Sequence, residues 1–388
     1  MDNDPIIVGW GHSQFGKLDE NLEQLIGAVT REAIADAEID AQEIDAVWLG
    51  HFNSGLIGDG FCSSMVLAAM PALRFKPATR CENACASGAS AIYAALDAVR
   101  SGRVTLALVV GAEKMSGLTS AAVTKALSGA SYQAEERDLS FPQIFARFAV
   151  AYAEEYGDPA EGMAHVAVKN HHNAMRNPLA QMHRQIDLEF CRHVSERNPM
   201  IADPLKLSDC SLVSDGAAAL VVAPRHMAKH FRRAVGFRAA EQVNDLLPMS
   251  AKRLAAFEGP REAFRRAYAA GGVGVDDLDF AEVHDCFTIA ELLSMEAMGL
   301  AEPGRASGCV IEGQTQRDGR LPINLSGGLK AKGHPVGATG VSMHVLAARQ
   351  LVGEAGDMQL ARPPGLGLCF NMGGGAVANC VSILEPIR

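Results

Sequence analysis

Short apolar runs alternate along the chain with longer stretches of small residues. Ile6–Trp10, Ala46–Leu49, Leu106–Val110, Ala217–Val222, Phe280–Val283 and Ala376–Leu384 are apolar or β-branched, and glycine-rich turns or helix-like stretches follow them. That pattern predicts buried strands, and strands alternating with helices predict parallel sheets covered on both faces, an α/β fold. Two stretches, Ala86–Arg100 and Gly337–Gln350, are built largely from Ala, Gly, Ser and Thr on every side. A helix that is small and apolar all round is buried among other elements.

An internal echo points to duplication. Ile44-Asp45-Ala46-Val47-Trp48-Leu49-Gly50 resembles Leu278-Asp279-Phe280-Ala281-Glu282-Val283-His284, a small-residue helix follows each, and Gly-Ala-rich strands close both halves. The expected division is a first half over residues 1–225 and a second over 226–388. A different kind of segment, about 114–208, is inserted in the first. It gathers His165, His171, His172, His183 and His193 among Lys169, Arg176, Arg184, Arg192 and Arg197. In an acidic protein this basic excess could meet a phosphorylated substrate, or it could be a solvated surface excursion.

Composition narrows the function. The chain has 388 residues, 48% hydrophobic and 21% charged, which excludes disorder and collagen-like repeats. A formal net charge of −10 argues against nucleic-acid or anionic-membrane binding, and no apolar run reaches the ~18 residues of a membrane span. The nine cysteines are odd in number and scattered, so free thiols in a reducing cytoplasm are expected rather than a disulfide framework. The acidic Met1-Asp2-Asn3-Asp4-Pro5 lacks the pattern of a secretory leader.

Four stretches carry candidate chemistry. In Asn83-Ala84-Cys85-Ala86-Ser87-Gly88, Cys85 stands where an irregular stretch enters the first small-residue helix. Helix N-termini favour thiolate, the nucleophilic form, so Cys85 is either a nucleophile or a small core residue. Cys81 has no second Cys/His pair at zinc-like spacing, and no metal is expected. In Gly333-His334-Pro335-Val336-Gly337, His334 is held on a stiff turn and could take a proton from a thiol or donate to an oxyanion. His284-Asp285-Cys286-Phe287 follows a strand, where α/β sheets gather functional groups. Cys286 could act there as acid and base, while Asp285 reads as structural. Asn371-Met372-Gly373-Gly374-Gly375 lacks the Lys-Ser/Thr of a phosphate loop but could aim a backbone N–H at a carbonyl oxygen.

Taken in order, these four elements resemble the thiolase superfamily over nearly the whole chain. His284-Asp285-Cys286-Phe287 is the most specific, because the sterol-carrier-protein type carries it where most thiolases have Asn-Glu-Ala-Phe. Val168-Lys169-Asn170-His171-His172-Asn173 and Ser214-Asp215-Gly216-Ala217-Ala218-Ala219 look like that subfamily as well. The commoner thiolases place their second catalytic cysteine where this chain has Asn371, so the resemblance passes that role to Cys286, with Cys369 as the alternative. It implies the thiolase fold, five layers αβαβα in two pseudo-symmetric halves with a loop domain over the site. It implies acyl transfer between coenzyme A (CoA) thioesters: thiolysis of a 3-oxoacyl-CoA to acetyl-CoA or propionyl-CoA plus a shortened acyl-CoA, or the reverse Claisen condensation. Cys85 is then the acyl carrier and Cys286 the acid/base. His334 and His284 hold the enolate, and the N–H groups of Cys85 and Gly373 hold the tetrahedral oxyanion. No cofactor beyond the CoA substrates is implied, and a homodimer or homotetramer active in lipid or fatty-acid metabolism is expected.

Two other readings stand beside this one. A ketosynthase or retro-aldolase keeps the fold with different chemistry, although the aldolases dispense with the nucleophilic cysteine that is present here. An acyl-CoA-binding subunit working with a small partner protein would keep the cleft without turnover.

Overall fold

The computed structural model describes residues 3–388, so Met1 and Asp2 of the acidic N-terminal stretch lie outside it. Its strands are β1 (Pro5–His12), β2 (Ala46–Gly50), β3 (Ala78–Cys81), β4 (Ala107–Glu113), β5 (Met200–Ala202), β6 (Leu205–Lys206), β7 (Gly216–Pro224), β8 (Val235–Asn244), β9 (Phe280–Val283), β10 (Gly367–Gly373) and β11 (Ala378–Pro386). Nine of them form one sheet in the order β3-β2-β4-β7-β1-β8-β11-β10-β9, and β5 and β6 make a separate hairpin. The sheet is two similar halves joined at a short seam, where only Ile6 and Ile7 of β1 meet Gly236 and Val235 of β8.

The echo seen in the sequence occupies matching places. β2 runs parallel to β4 in one half and β9 parallel to β10 in the other. Beyond β9, where the first half has β3, the second half has a lone bridge from Ala281 to Ile323. The expected parallel sheets are corrected to mixed ones. β10 and β11 are joined by a four-residue glycine-rich turn and must run antiparallel. β4 and β7, separated by the long inserted segment, are antiparallel as well.

Helices α1 (Leu22–Asp36), α2 (Cys62–Ala69) and α3 (Ser87–Arg100) belong to the first half. The inserted segment carries α4 (Ser120–Ser128), α5 (Gln133–Glu136), α6 (Phe141–Tyr156), α7 (Ala160–Ala174) and α8 (Leu188–Arg192). The second half adds α9 (Glu258–Gly271), α10 (Thr288–Ala297), α11 (Ala306–Ile311) and α12 (Val336–Leu351). Ile6, Val8, Val47 and Leu108 pack on Leu25, Ile26 and Val29 of α1 on one face of the first sheet half. Its other face, with Ile7, Val109 and Leu220, shares a single core with Ile92 and Leu96 of α3, Val341 and Val345 of α12, Phe370 and Val381 of the second half, and Phe264 of α9. The layers are therefore helix, sheet, helix pair, sheet, helix.

Small residues in α3 and α12 follow from that central position. A Cβ on Gly88 would come within 2.8 Å of the Gly337 carbonyl, and one on Gly340 within 2.4 Å of both the Ala89 nitrogen and Asn371 Oδ1. The two helices meet backbone to backbone. Gly340→Ala is expected to cost about 1–3 kcal/mol through overpacking, read as a lowered thermal midpoint; an unchanged midpoint would contradict the contact.

Candidate active site

Cys85 lies in the turn that leads into α3, two residues before its first turn. Ala84 takes a left-handed backbone, φ 49°, and the turn is tied by Ala86 N–H to the Asn83 carbonyl (2.9 Å) and Ser87 Oγ to the Ala84 carbonyl (2.6 Å). This leaves the Cys85 side chain facing a cleft of about 190 Å³ that is also lined by His284, Cys286 and His334. The Cys85 sulfur and a ring nitrogen from each histidine lie within 4.8 Å of one another. Such a trio could hold a soft metal ion as well as exchange protons, but it offers only three ligands.

The hydrogen bonds settle which ring nitrogens carry protons. Thr339 Oγ1 donates to the Pro335 carbonyl (3.0 Å), so it accepts from His334 Nδ1 (2.7 Å). His334 Nε2 is then a bare lone pair, buried and without a protein partner. Asn371 Nδ2 donates to the Cys85 carbonyl and to His284 Nδ1, both at 3.0 Å. His284 therefore carries its proton on Nε2. The two rings stand edge to face with centroids 5.1 Å apart, one offering an acceptor and the other a donor. Ser214 Oγ, from the Ser-Asp-Gly stretch, accepts the His334 N–H at 2.9 Å.

Electrostatics correct one expectation. Cys85 is only 9% exposed, and burial pushes its thiol up to about 12, with Glu113 and Glu82 adding to the shift against the N–H groups of Gly374 and Cys85. Desolvation outweighs the helix N-terminus, so the resting group is a thiol. Burial, then the Lys332 cation, lowers His334 to about 3. Burial, then His334 and Lys332, holds His284 well below the usual imidazole range. Burial, followed by Cys85 and Asp285, raises Cys286. The centre rests as two thiols and two neutral imidazoles. Since the thiolate fraction grows with pH up to the pKa, iodoacetamide labelling of Cys85 is expected to keep climbing beyond about pH 10, where an ordinary thiol has levelled off. A plateau near neutrality would show a preformed thiolate.

The structure brings Cys85, His284, Cys286 and His334 to one cleft and leaves other candidates outside it. The backbone N–H groups at the Cys85 sulfur are those of Cys85 and Gly374, one residue beyond the expected Gly373. Gly373 packs beneath the Asn83 carbonyl, where a Cβ would come within 2.1 Å. Cys369 is buried, with its sulfur turned to the Met343 carbonyl. Met115 and Phe141 line the cleft with Phe52, Val123, Leu127 and Val336, whereas Phe145 stacks behind Phe287 at 4.6 Å.

Of the basic residues in the inserted segment, Lys169 is buried against Glu291, Arg192 and His165 pair with Glu161, and His193 pairs with Glu189. The sequence reading passed over Glu113, a buried carboxylate at the C-terminal end of β4. Glu113 accepts from Phe52 N (2.9 Å) and Gly337 N (3.1 Å) on one oxygen and from Asn53 N (3.0 Å) on the other, beside His51 Nδ1 at 3.1 Å. Burial opposes the His51 charge, yet Glu113 carries its pKa up to about 10. An acid at a strand's carboxyl end was the available signal.

The family model described as "Thiolase, N-terminal domain" matches residues 6–226, and "Thiolase C-terminal domain-like" matches 240–386. An acetyl-CoA acetyltransferase of Methanothermobacter thermautotrophicus is 35% identical over 96% of each chain. Human sterol carrier protein 2 is 30% identical over 96% of this chain and 70% of its own. The structure described as Ltp2-ChsH2(DUF35) aldolase shares the fold with a TM-score of 0.84 at 23% identity, covering 100% of this chain and 98% of the other.

Proposed function

Because the chain belongs to the thiolase family, it is a CoA-dependent acyltransferase, and we propose that it works through an acyl-Cys85 intermediate. The observation that carries this reading is the Cys85 thiol within 4.8 Å of two imidazoles at one end of an apolar cleft. A buried thiol is a poor nucleophile until its proton leaves, and the bare His334 Nε2 is the acceptor beside it.

In condensation, Cys85 attacks the thioester of a first acyl-CoA as His334 takes its proton. The N–H groups of Cys85 and Gly374 hold the oxyanion, a contribution of ~10²–10³ per donor in rate. The departing CoA thiolate takes the Cys286 proton and leaves as CoA. Cys286, now a thiolate, removes the α-proton of a second acyl-CoA. The enolate oxygen is held by two N–H donors, His284 Nε2 and the protonated His334 Nε2. The enolate carbon attacks the acyl carbonyl, the C–S bond breaks, and the Cys85 sulfur recovers its proton from His334. Thiolysis of a 3-oxoacyl-CoA reverses these steps. There Cys286 donates the proton to the leaving enolate, the form in which burial keeps it.

The test is intact-protein mass spectrometry after exposure to acetyl-CoA and a panel of longer acyl-CoAs. One acyl group on Cys85 is expected, and an adduct on another cysteine, or none, would overturn the assignment. The proposal extends to a first half over 1–225 and a second over 226–388, with 114–208 as the loop domain over the cleft. The setting proposed is a cytoplasmic homodimer or homotetramer in lipid or fatty-acid metabolism. Among the described residues no helix is long and apolar enough to cross a membrane. The aldolase neighbour, described with a DUF35 partner, supports a small partner protein here too.

A further inference from the structure

Asp285 stands between His284 and Cys286 in sequence, yet its side chain turns away from the cleft and is fully buried. Its Oδ1 accepts the Leu329 N–H at 2.6 Å, and its Oδ2 accepts Lys330 N–H at 3.2 Å and Asn170 Nδ2 at 2.7 Å. Leu329 and Lys330 belong to a single π-helical turn, Gly328–Lys332, which runs directly into Gly333 and His334. Such turns are rare and cluster at functional sites. Gly328, at φ 59°, packs so closely that a Cβ would lie 2.2 Å from Asp285 Oδ2. Neighbouring bonds join the same two segments: Asn324 Oδ1 accepts Val283 N–H at 2.8 Å, and Glu282 Oε1 accepts Ser326 N–H at 3.0 Å. The strand end that bears His284 and Cys286 is thus laced to the segment that bears His334.

A buried acid is a costly choice for a lace unless its charge is met. Asn170 Nδ2 also donates to Glu291 Oε2 at 2.8 Å, and Lys169 Nζ lies 2.8 Å from Glu291 Oε1. Asn170 of α7 therefore binds both carboxylates while Lys169 pairs with Glu291, and the Lys330 and Lys332 cations interact with Asp285 from the π-helical turn. Burial and then Glu291 raise the Asp285 carboxyl above the ordinary aspartate range.

We propose that Asp285 is a positioning residue: by holding the Leu329 and Lys330 N–H groups it sets where His284 and Cys286 stand relative to His334 and the acyl-cysteine. This rests on the acyl-Cys85 reading. Acylation of Cys85 depends on His334 and the Cys85 and Gly374 amides and takes from Cys286 only the proton of a CoA thiolate that can leave without it, whereas carbon–carbon bond formation needs His284 and Cys286 in place. Displacing the Asp285 lace strikes the second step selectively.

The experiment compares wild type, Asp285→Asn and Asn170→Ala in two assays, acyl exchange between acetyl-CoA and labelled CoA, and thiolysis of acetoacetyl-CoA, with thermal melts of each. In Asp285→Asn, whose amide cannot accept all three donors, exchange is expected within about threefold of wild type while thiolysis kcat falls by ~10²-fold at little-changed KM, the scale of a small misplacement of reacting groups. Asn170→Ala, which leaves Asp285 itself in place, is expected to show the same split at a smaller size. The acidic limb of wild-type thiolysis, where Asp285 gains its proton and loses an acceptor site, is expected to flatten in Asp285→Asn. Equal losses in both assays, or thiolysis unchanged in folded Asp285→Asn, would overturn the positioning role. Absence of exchange in wild type would overturn the acyl-Cys85 reading instead.

Discussion

Cys85→Ala is expected to lose the acyl adduct entirely and to lower thiolysis by ~10⁴-fold or more, the scale on which removal of a covalent nucleophile is felt. The cleft itself survives the change. Cys85 contributes one sulfur to a wall that also includes Phe52, Met115, Val336 and Gly374, and alanine fills the turn without altering its backbone bonds. The thermal midpoint and acyl-CoA binding should therefore stay close to wild type. Measured together, an absent adduct, an absent turnover and retained binding identify a nucleophile. Residual turnover within about tenfold of wild type would mean that another group attacks, because water cannot replace a positioned sulfur at that rate.

Cys286→Ala is expected to separate the two chemical steps. The Cys85 adduct should still form at a rate near that of wild type: CoA, a thiol with a pKa of about 8.5, can leave as the thiolate and take its proton from solvent when Cys286 cannot supply it. Carbon–carbon bond cleavage and formation should fall by ~10²–10⁴-fold, the range of a lost general acid or base. The same variant tests the direction of the pKa argument. Burial keeps Cys286 protonated, so in the wild type thiolysis draws on a thiol that is already in its donor form at neutral pH and weakens only as that proton is lost at high pH. An alanine variant has no such alkaline limb. Wild-type turnover in Cys286→Ala would remove Cys286 from the mechanism and leave the proton transfer to a group outside this cleft wall, since the Cys369 sulfur faces the Met343 carbonyl.

The main strands and the two buried helices were legible because their signals are local, whereas the five-layer arrangement came only from the resemblance. The apolar runs at Ile6–Trp10 and Phe280–Val283 lie within β1 and β9, and the two small-residue stretches became α3 and α12 within a residue or two at each end. Strand direction was not legible, because β4 and β7 are joined through the long inserted segment whose course no local pattern encodes. The same distinction divides the site. Cys85, His284, Cys286 and His334 were visible because each sits in a motif at the end of an element. The Asn371 amide that links His284 to the Cys85 carbonyl spans 286 residues on one side and 87 on the other, and the His51 ring that pairs with Glu113 reaches the Ala112 carbonyl across 61. Pairings of that kind have no sequence signature. The ionisation of Cys85 was misjudged for a related reason: a helix start can be read from residues, whereas burial by Phe52, Met115 and Val336 comes from three distant segments.

The backbone contact between α3 and α12 has a consequence for how such an enzyme can change. Cys85 and His334, the proposed nucleophile and its base, are mounted on two glycine-lined helix entrances pressed together, so their spacing is fixed by main chain and not by any replaceable side chain. Val123, Leu127 and Phe141, which line the cleft, come from α4 and α6 in the inserted segment. Those walls can be exchanged residue by residue without moving the chemistry, which leaves substrate preference free to drift while the reaction stays the same.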